Sequence, residues 1–157
     1  MMKIAVFADV QNLYYTTRQA YNRQFNYRKL WQRLSAEGEI VLANAYAIHR
    51  GDDKQMGFQQ ALRHIGFDVK LKPYIQRSDG TAKGDWDVGI TIDIMQAASE
   101  VDRVVLLSGD GDFDLLMQHI QQHHAVVADA YGVPGLTANA LINSVNAFFP
   151  IEDELLQ

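Results

Sequence analysis

The chain of 157 residues contains no cysteine. Disulfides, thiolate metal sites and a cysteine nucleophile are therefore excluded, and the composition fits a cytoplasmic protein. It also lacks any run of about 18 apolar residues, so no membrane-spanning helix is expected. The opening Met1-Met2-Lys3-Ile4-Ala5 does not follow the plan of a signal peptide, because its apolar run is short and stops at Asp9. No repeat, linker or low-complexity tract is visible, and the length suits one domain, residues 1–157. No Gly-x-Gly-x-x-Gly follows the first apolar run, and no Walker A sequence occurs, which excludes a glycine-rich nucleotide cradle. Positive charge is scarce in one half only. Residues 84–157 carry a single cation, Arg103, against 12 Asp/Glu, whereas residues 1–83 carry 13 Lys/Arg against 7 Asp/Glu. A basic surface beside an acidic pocket suits an enzyme that grips a polyanion and acts on it with a cation; scattered solvated charge is the alternative. The net charge of −5 speaks against a simple nucleic-acid coat protein.

What is present concentrates in Ser108-Gly109-Asp110-Gly111-Asp112-Phe113-Asp114, directly after the apolar run Val104-Val105-Leu106-Leu107. Three carboxylates alternate where a buried strand must end, and glycines keep the bend open. An acidic loop at the carboxyl end of a strand is a place to hold a hard cation. A similar arrangement opens the chain: Lys3 to Ala8 reads as a strand, and Asp9-Val10-Gln11-Asn12 follows it. If these two strands are parallel neighbours, Asp9, Asp110 and Asp112 converge on one rim.

Strand and helix alternate throughout. Strands are expected at 3–8, 40–48, 67–71, 104–107 and 125–130, with a sixth candidate at 146–149. Helices are expected from about Leu13 to Tyr21, through Tyr27, Leu30, Trp31 and Leu34 up to Gly38, and behind an Asp52 or Asp53 cap, with Phe58, Ala61, Leu62 and Ile65 on one face. Further helices run from Asp85 or Asp87 to about Ser99, through Phe113, Leu116, Met117 and Ile120, and near 137–143. Pro73 to Gly84 reads as a loop. Strands separated by helices give a parallel sheet covered on both faces, with ligands bound outside the carboxyl ends of the strands.

Three blocks then coincide: Phe7-Ala8-Asp9-Val10-Gln11-Asn12-Leu13, Lys83-Gly84-Asp85-Trp86-Asp87 continuing to Asp93, and Ser108-Gly109-Asp110-Gly111-Asp112-Phe113. In order and spacing the chain resembles the NYN domain of the LabA type, within the PIN-like nuclease superfamily. The resemblance implies a three-layer α/β/α sandwich around a parallel sheet of five or six strands, with acidic residues around one or two divalent cations. It implies metal-dependent endoribonuclease chemistry on RNA, with Mg²⁺ or Mn²⁺ at Asp9, Asp87, Asp110 and Asp112. Asn12 and Ser108 match the family's polar positions beside these acids. Members without demonstrated activity keep a second reading open, a metal-dependent RNA- or nucleotide-binding regulator on the same fold.

The bland readings are specific too. Asp9 and Asn12 are good helix caps, Asp110 and Asp112 fit a solvated turn, and Asp87 can cap its helix. Asp93 lies six residues after Asp87 and does not share its helix face, so Asp87 is preferred as ligand. Asp114 stands one turn into its helix. Asp110 to Asp114 mimics the start of a calcium-binding EF-hand loop, but Leu115 and Gln121 occupy the positions where that loop needs Gly and Glu. His119 and His123 have zinc-like spacing without a partnering Glu. A dehalogenase-type phosphatase would need an acid two residues after Asp9, where Gln11 stands. Tyr14, Tyr15, Tyr21 and Trp86 flank the proposed site, with packing the readier explanation than base stacking. Arg77 and Lys83, with Arg18 or Arg50, are the candidate grips for a single-stranded RNA backbone. The oligomeric state is open. If Arg77 and Lys83 each hold a phosphate, the Arg77→Ala/Lys83→Ala variant should bind RNA more weakly, with its salt slope reduced by roughly 1.4. Affinity measured over a salt series checks this, and an unchanged slope would remove this loop from the grip.

Overall fold

In the computed structural model, the residues described are 1–49, 51–73, 75–76, 82–83 and 85–157, with side chains left aside at 73, 75–76 and 82–83. Strand β1 (Lys3–Asp9) leads directly into α1 (Val10–Tyr21), followed by α2 (Tyr27–Glu37), β2 (Glu39–His49), α3 (Asp53–Ile65) and β3 (Asp68–Pro73). Two short strands, β4 (Ile75–Gln76) and β5 (Ala82–Lys83), pair antiparallel, so the stretch read as a loop holds a small ribbon. The chain continues through α4 (Asp87–Ala97), β6 (Arg103–Leu107), a 3₁₀ turn at Gly111–Phe113, α5 (Asp114–His123), β7 (Val127–Gly132), α6 (Asn139–Ile142) and β8 (Ala147–Pro150).

The main sheet has the order β3-β2-β1-β6-β7-β8, and every pair is parallel. This is the three-layer α/β/α, PIN-like arrangement expected from the sequence. Side chains of a strand alternate between its two faces, and both faces here are covered. Ile4, Val6 and Ala8 of β1 join Leu13, Leu30, Leu34 and Leu62 of α1, α2 and α3 in one core layer. Ala5 and Phe7 join Ile90, Ile94, Leu116, Met117 and Ile120 of α4 and α5 in the other. The two central strands are therefore apolar at nearly every position, which explains the unbroken run Val104 to Leu107. Among the described residues, no helix is long and apolar enough to cross a membrane.

The α3 face differs from the expected one. Gln59 and Leu62 are buried, while Phe58 and Ala61 are exposed. This helix meets the sheet near its β3 edge, where little surface needs cover, and Phe58 instead sets its ring edge-on to Tyr27. Trp31 is half-buried and packs against Phe67 and the open face of Gly66, at a place where a Cβ would lie 2.5 Å from the indole.

At the amino end of β6, Arg103 is buried between Asp129 and Glu37, each at 2.8 Å. Removing one partner of a buried pair strands the other. Arg103→Met should therefore destabilise the fold by about 3–5 kcal/mol, and the Arg103→Met/Asp129→Leu pair should recover much of that loss. Chemical denaturation of the three proteins decides it. A single variant as stable as the parent would show that Asp129 does not depend on Arg103.

Candidate functional site

The order of the sheet reverses between β1 and β6. The chain builds outward from β1 to β3, then returns to the other side of β1 and builds outward to β8. Such a switch point leaves a crevice at the carboxyl ends of its two strands. The register pairs Ala8 with Leu107, so the next residues, Asp9 and Ser108, come out side by side. The Ser108 hydroxyl donates to Asp9 Oδ2 at 2.9 Å and accepts the Asp110 N–H at 3.2 Å. The other Asp9 oxygen accepts the Asn12 N–H at 3.4 Å, capping α1. Asn12 Oδ1 in turn accepts the Gly109 N–H at 2.9 Å, tying the first turn of α1 to the loop after β6.

That loop is squeezed from behind. A Cβ on Gly109 would lie 3.0 Å from the Leu136 carbonyl, and one on Gly111 would lie 2.8 Å from the Ala138 methyl. Both glycines are explained by close approach of residues 136–138; neither is at positive φ. Asp110 caps the 3₁₀ turn by accepting the Asp112 N–H at 2.9 Å.

Asp87 arrives from the side. By strand alternation Asp9 leaves β1 on the face of Ala5 and Phe7, which α4 covers, and Asp87 opens α4. Trp86 fixes that helix start. Its indole N–H donates to the Ala47 carbonyl at 2.9 Å, its ring packs on Tyr46, and Lys72 Nζ stands 4.6 Å over the ring centre. Gly89 makes room, since a Cβ there would meet the indole at 2.6 Å. Asp85 accepts the Asp87 N–H at 3.2 Å.

The result is a group of three carboxylates, Asp9, Asp87 and Asp110, with oxygens within 4.8 Å of one another. The ion pairs among the described residues are Arg33–Glu154, Lys70–Asp93, Arg103–Glu37 and Arg103–Asp129, so none neutralises the group. Two carboxylates about 4 Å apart repel by about 4 kcal/mol at an effective dielectric of 20. Burial first, then the nearby Asp110 and Asp85 charges, raise the Asp9 pKa to about 6 against the hydrogen bonds from Ser108 and Asn12. Burial, together with the hydrogen bond and charge of Asp110, raises Asp87 to about 7. The donor set is all oxygen, drawn from three elements and short of positive charge, which is the set a hard divalent cation takes.

Of the expected site residues, Asp9, Asp87 and Asp110 come together. Asp112 stays outside the group and lines a groove between α4 and α5. The 3₁₀ turn that Asp110 caps carries it away from the shared rim. Ser108 is fully buried, and half-buried Asn12 engages Gly109 through its Oδ1, so both position the loop and its acids. Arg77 and Arg50 lie outside the described residues, as does the Lys83 side chain. Asp93 accepts the Tyr46 hydroxyl at 2.6 Å and faces Lys70, away from the cluster. Asp114 also lies outside the group. Tyr21 donates to the Ile151 carbonyl and Trp86 to that of Ala47, so both are packing residues; Tyr14 and Tyr15 are not. The anchoring role of Trp86, Lys72 and Gly89 was missed. An aromatic residue and a glycine one helical turn apart were its only trace in the sequence.

A doubly wound parallel sheet with an acidic centre at its switch point defines the class of protein. The chain belongs to the NYN domain family, whose match spans residues 3–152. It is 30% identical to the low amplitude and bright protein LabA of Synechococcus elongatus over 96% of this chain and 84% of that protein. It is 52% identical to a protein of unknown function from Vibrio parahaemolyticus, whose crystal structure superposes with a TM-score of 0.94 over 99% of this chain and 96% of that one.

The raised pKa values fix the sign of a stability effect. With pKa values above the ordinary carboxylate range, the native state holds these protons more tightly than the unfolded chain. Their stabilising contribution is full below about pH 4 and is lost as pH climbs towards 7. Asp9→Asn should therefore stabilise the metal-free protein at pH 8 by about 1 kcal/mol, or about 2–4 °C in Tm, and the gain should vanish near pH 4. Thermal melts of both proteins across that range check it. Mn²⁺ should raise the Tm of the parent more at pH 8 than at pH 5, and that of Asp9→Asn less at either pH.

Proposed function

We propose that this protein is a metal-dependent endoribonuclease that hydrolyses RNA phosphodiester bonds at the rim between β1 and β6. The observation that carries the reading is the convergence of Asp9, Asp87 and Asp110 without a protein cation to neutralise them. Membership of the NYN family, within the PIN-like nucleases, supports the same chemistry. The three acids suit Mg²⁺ or Mn²⁺ better than zinc, because all the donors are oxygens. The ion would supply Lewis acidity and a water of lowered pKa.

The protein's own part is placement and proton handling. Ser108 and Asn12 hold Asp9 and the Asp110 loop in register. Trp86 pins the start of α4, so Asp87 is delivered from a fixed helix end. Asp87 opens α4 and is half-exposed, so a water attacking at the rim can reach it and pass it a proton. A fixed constellation lowers the barrier by pre-paid orientation. The cytoplasm is the compartment that fits a cysteine-free chain.

The experiment is cleavage of a mixed RNA pool with Mg²⁺, Mn²⁺ or chelator, using the parent and Asp110→Asn. Cleavage by the parent should need metal, and Asp110→Asn should have none, while its RNA affinity holds or rises because a negative charge near phosphate is gone. Equal trace cleavage by both proteins across all metals would mark contamination and leave the binding-regulator reading. Trp86→Ala should weaken metal binding by calorimetry while the protein still melts cooperatively.

A further inference from the structure

The acidic centre is flanked by two surfaces of opposite character. On one side, the groove between α4 and α5 has Asp112 in its wall and no Lys or Arg among its lining residues. On the other side stands α1, whose first residue follows Asp9. Residues 10–36, covering α1 and nearly all of α2, contain no Asp or Glu and carry Arg18, Arg23, Arg28, Lys29 and Arg33. A polyanion leaving the rim meets repulsion on the first side and a surplus of positive charge on the second, where Glu154 pairs with Arg33 and Glu152 and Asp153 stand near Tyr21 at the far end of α1.

Two aromatic rings stand on that second side. Tyr14 and Tyr15 are 48% and 52% exposed, and neither hydroxyl has a hydrogen-bond partner among the described residues. Their rings meet edge to face, with centroids 5.4 Å apart at 77°, so their faces point in different directions. The Arg18 guanidinium lies 5.3 Å from the centre of the Tyr14 ring, which braces that ring and leaves its donors free for phosphate. Both tyrosines rise about 7–9 Å along the axis of α1 from Asp9. Large apolar rings held in water without a polar partner contribute little to this fold. The buried face of α1 is carried by Val10, Leu13 and Thr17 instead.

We propose that Tyr14 and Tyr15 form a base-stacking platform for single-stranded RNA, with Arg18 on its backbone, and that the strand crosses α1 on its way to the acidic centre. This deepens the nuclease reading and rests on it. Stacking needs unpaired bases, so the platform selects single strands and is tolerant of sequence.

The test is equilibrium binding by fluorescence anisotropy in the Asp110→Asn background, which does not cut the probe. The probes are a labelled oligouridylate and a strand of equal length with abasic sugars. Tyr14→Ala/Tyr15→Ala should weaken oligouridylate binding by about 10- to 100-fold, while Tyr14→Phe/Tyr15→Phe should bind within about twofold of the background protein. On the abasic strand all three proteins should bind alike, since no base is left to stack. Unchanged oligouridylate binding by the alanine variant would overturn the platform. So would an equal loss on both strands, which would mark a general effect on charge or folding. If the background protein itself binds neither strand, RNA is not the substrate, and the nuclease reading falls together with the platform.

Discussion

Everything at the rim depends on holding three carboxylates closer together than water would allow. Asp9, Asp87 and Asp110 repel one another, and no cationic side chain among the described residues relieves them. Flexible loops would let such a group spread. Here Asp9 ends a strand paired on both sides, Asp110 sits in a loop stitched down by Ser108 and Asn12, and Asp87 opens a helix moored by Trp86. The two core layers supply the rigidity that resists the repulsion. Burial first, and the neighbouring acids after it, raise the proton affinity of Asp9 and Asp87.

The charge division along the sequence becomes a division of surfaces. The one cation of residues 84–157, Arg103, is consumed internally by Asp129 and Glu37 at the end of β6 remote from the site. Of the remaining acids of that half, Asp93 and Glu154 pair with Lys70 and Arg33 from the first half, and the acids of the rim have no such partner among the described residues. The helices before β2 carry the opposite bias. The field around the rim is therefore lopsided, with the acidic centre between the two.

Much of this was legible in the residues. Alternating apolar strands and helices pointed to the parallel sheet, and Asp9 directly after Ala8, with Asp110 three residues after Leu107, pointed to the rim. Helical geometry showed that Asp87 and Asp93 do not share a face, the resemblance favoured Asp87, and Asp93 turns towards Tyr46. Asp112 was not readable, because its distance from the cluster is set by a 3₁₀ turn that the spacing Asp-Gly-Asp does not announce. Ser108 and Asn12 were visible as polar neighbours, yet whether they face ligand or loop depends on strand register and burial. The packing of residues 136–138 against Gly109 and Gly111 is a contact between distant segments, and no local pattern encodes it. Exposure of Tyr14 and Tyr15 follows from which side of α1 meets the sheet, and a helix with three polar or aromatic flanks leaves that ambiguous.

The central place of β1 has a consequence for synthesis. Its neighbours are β2, which follows it closely, and β6, whose residues emerge about a hundred positions later. Until Val104 to Leu107 leave the ribosome, one edge of β1 is an open row of backbone donors and acceptors flanked by apolar side chains. A nascent chain in that state can collapse on its first core layer but lacks Asp110, and with it a complete acidic centre. The three carboxylates therefore cannot assemble while the molecule is half made, and the moment that completes the centre is the same moment that closes the sheet.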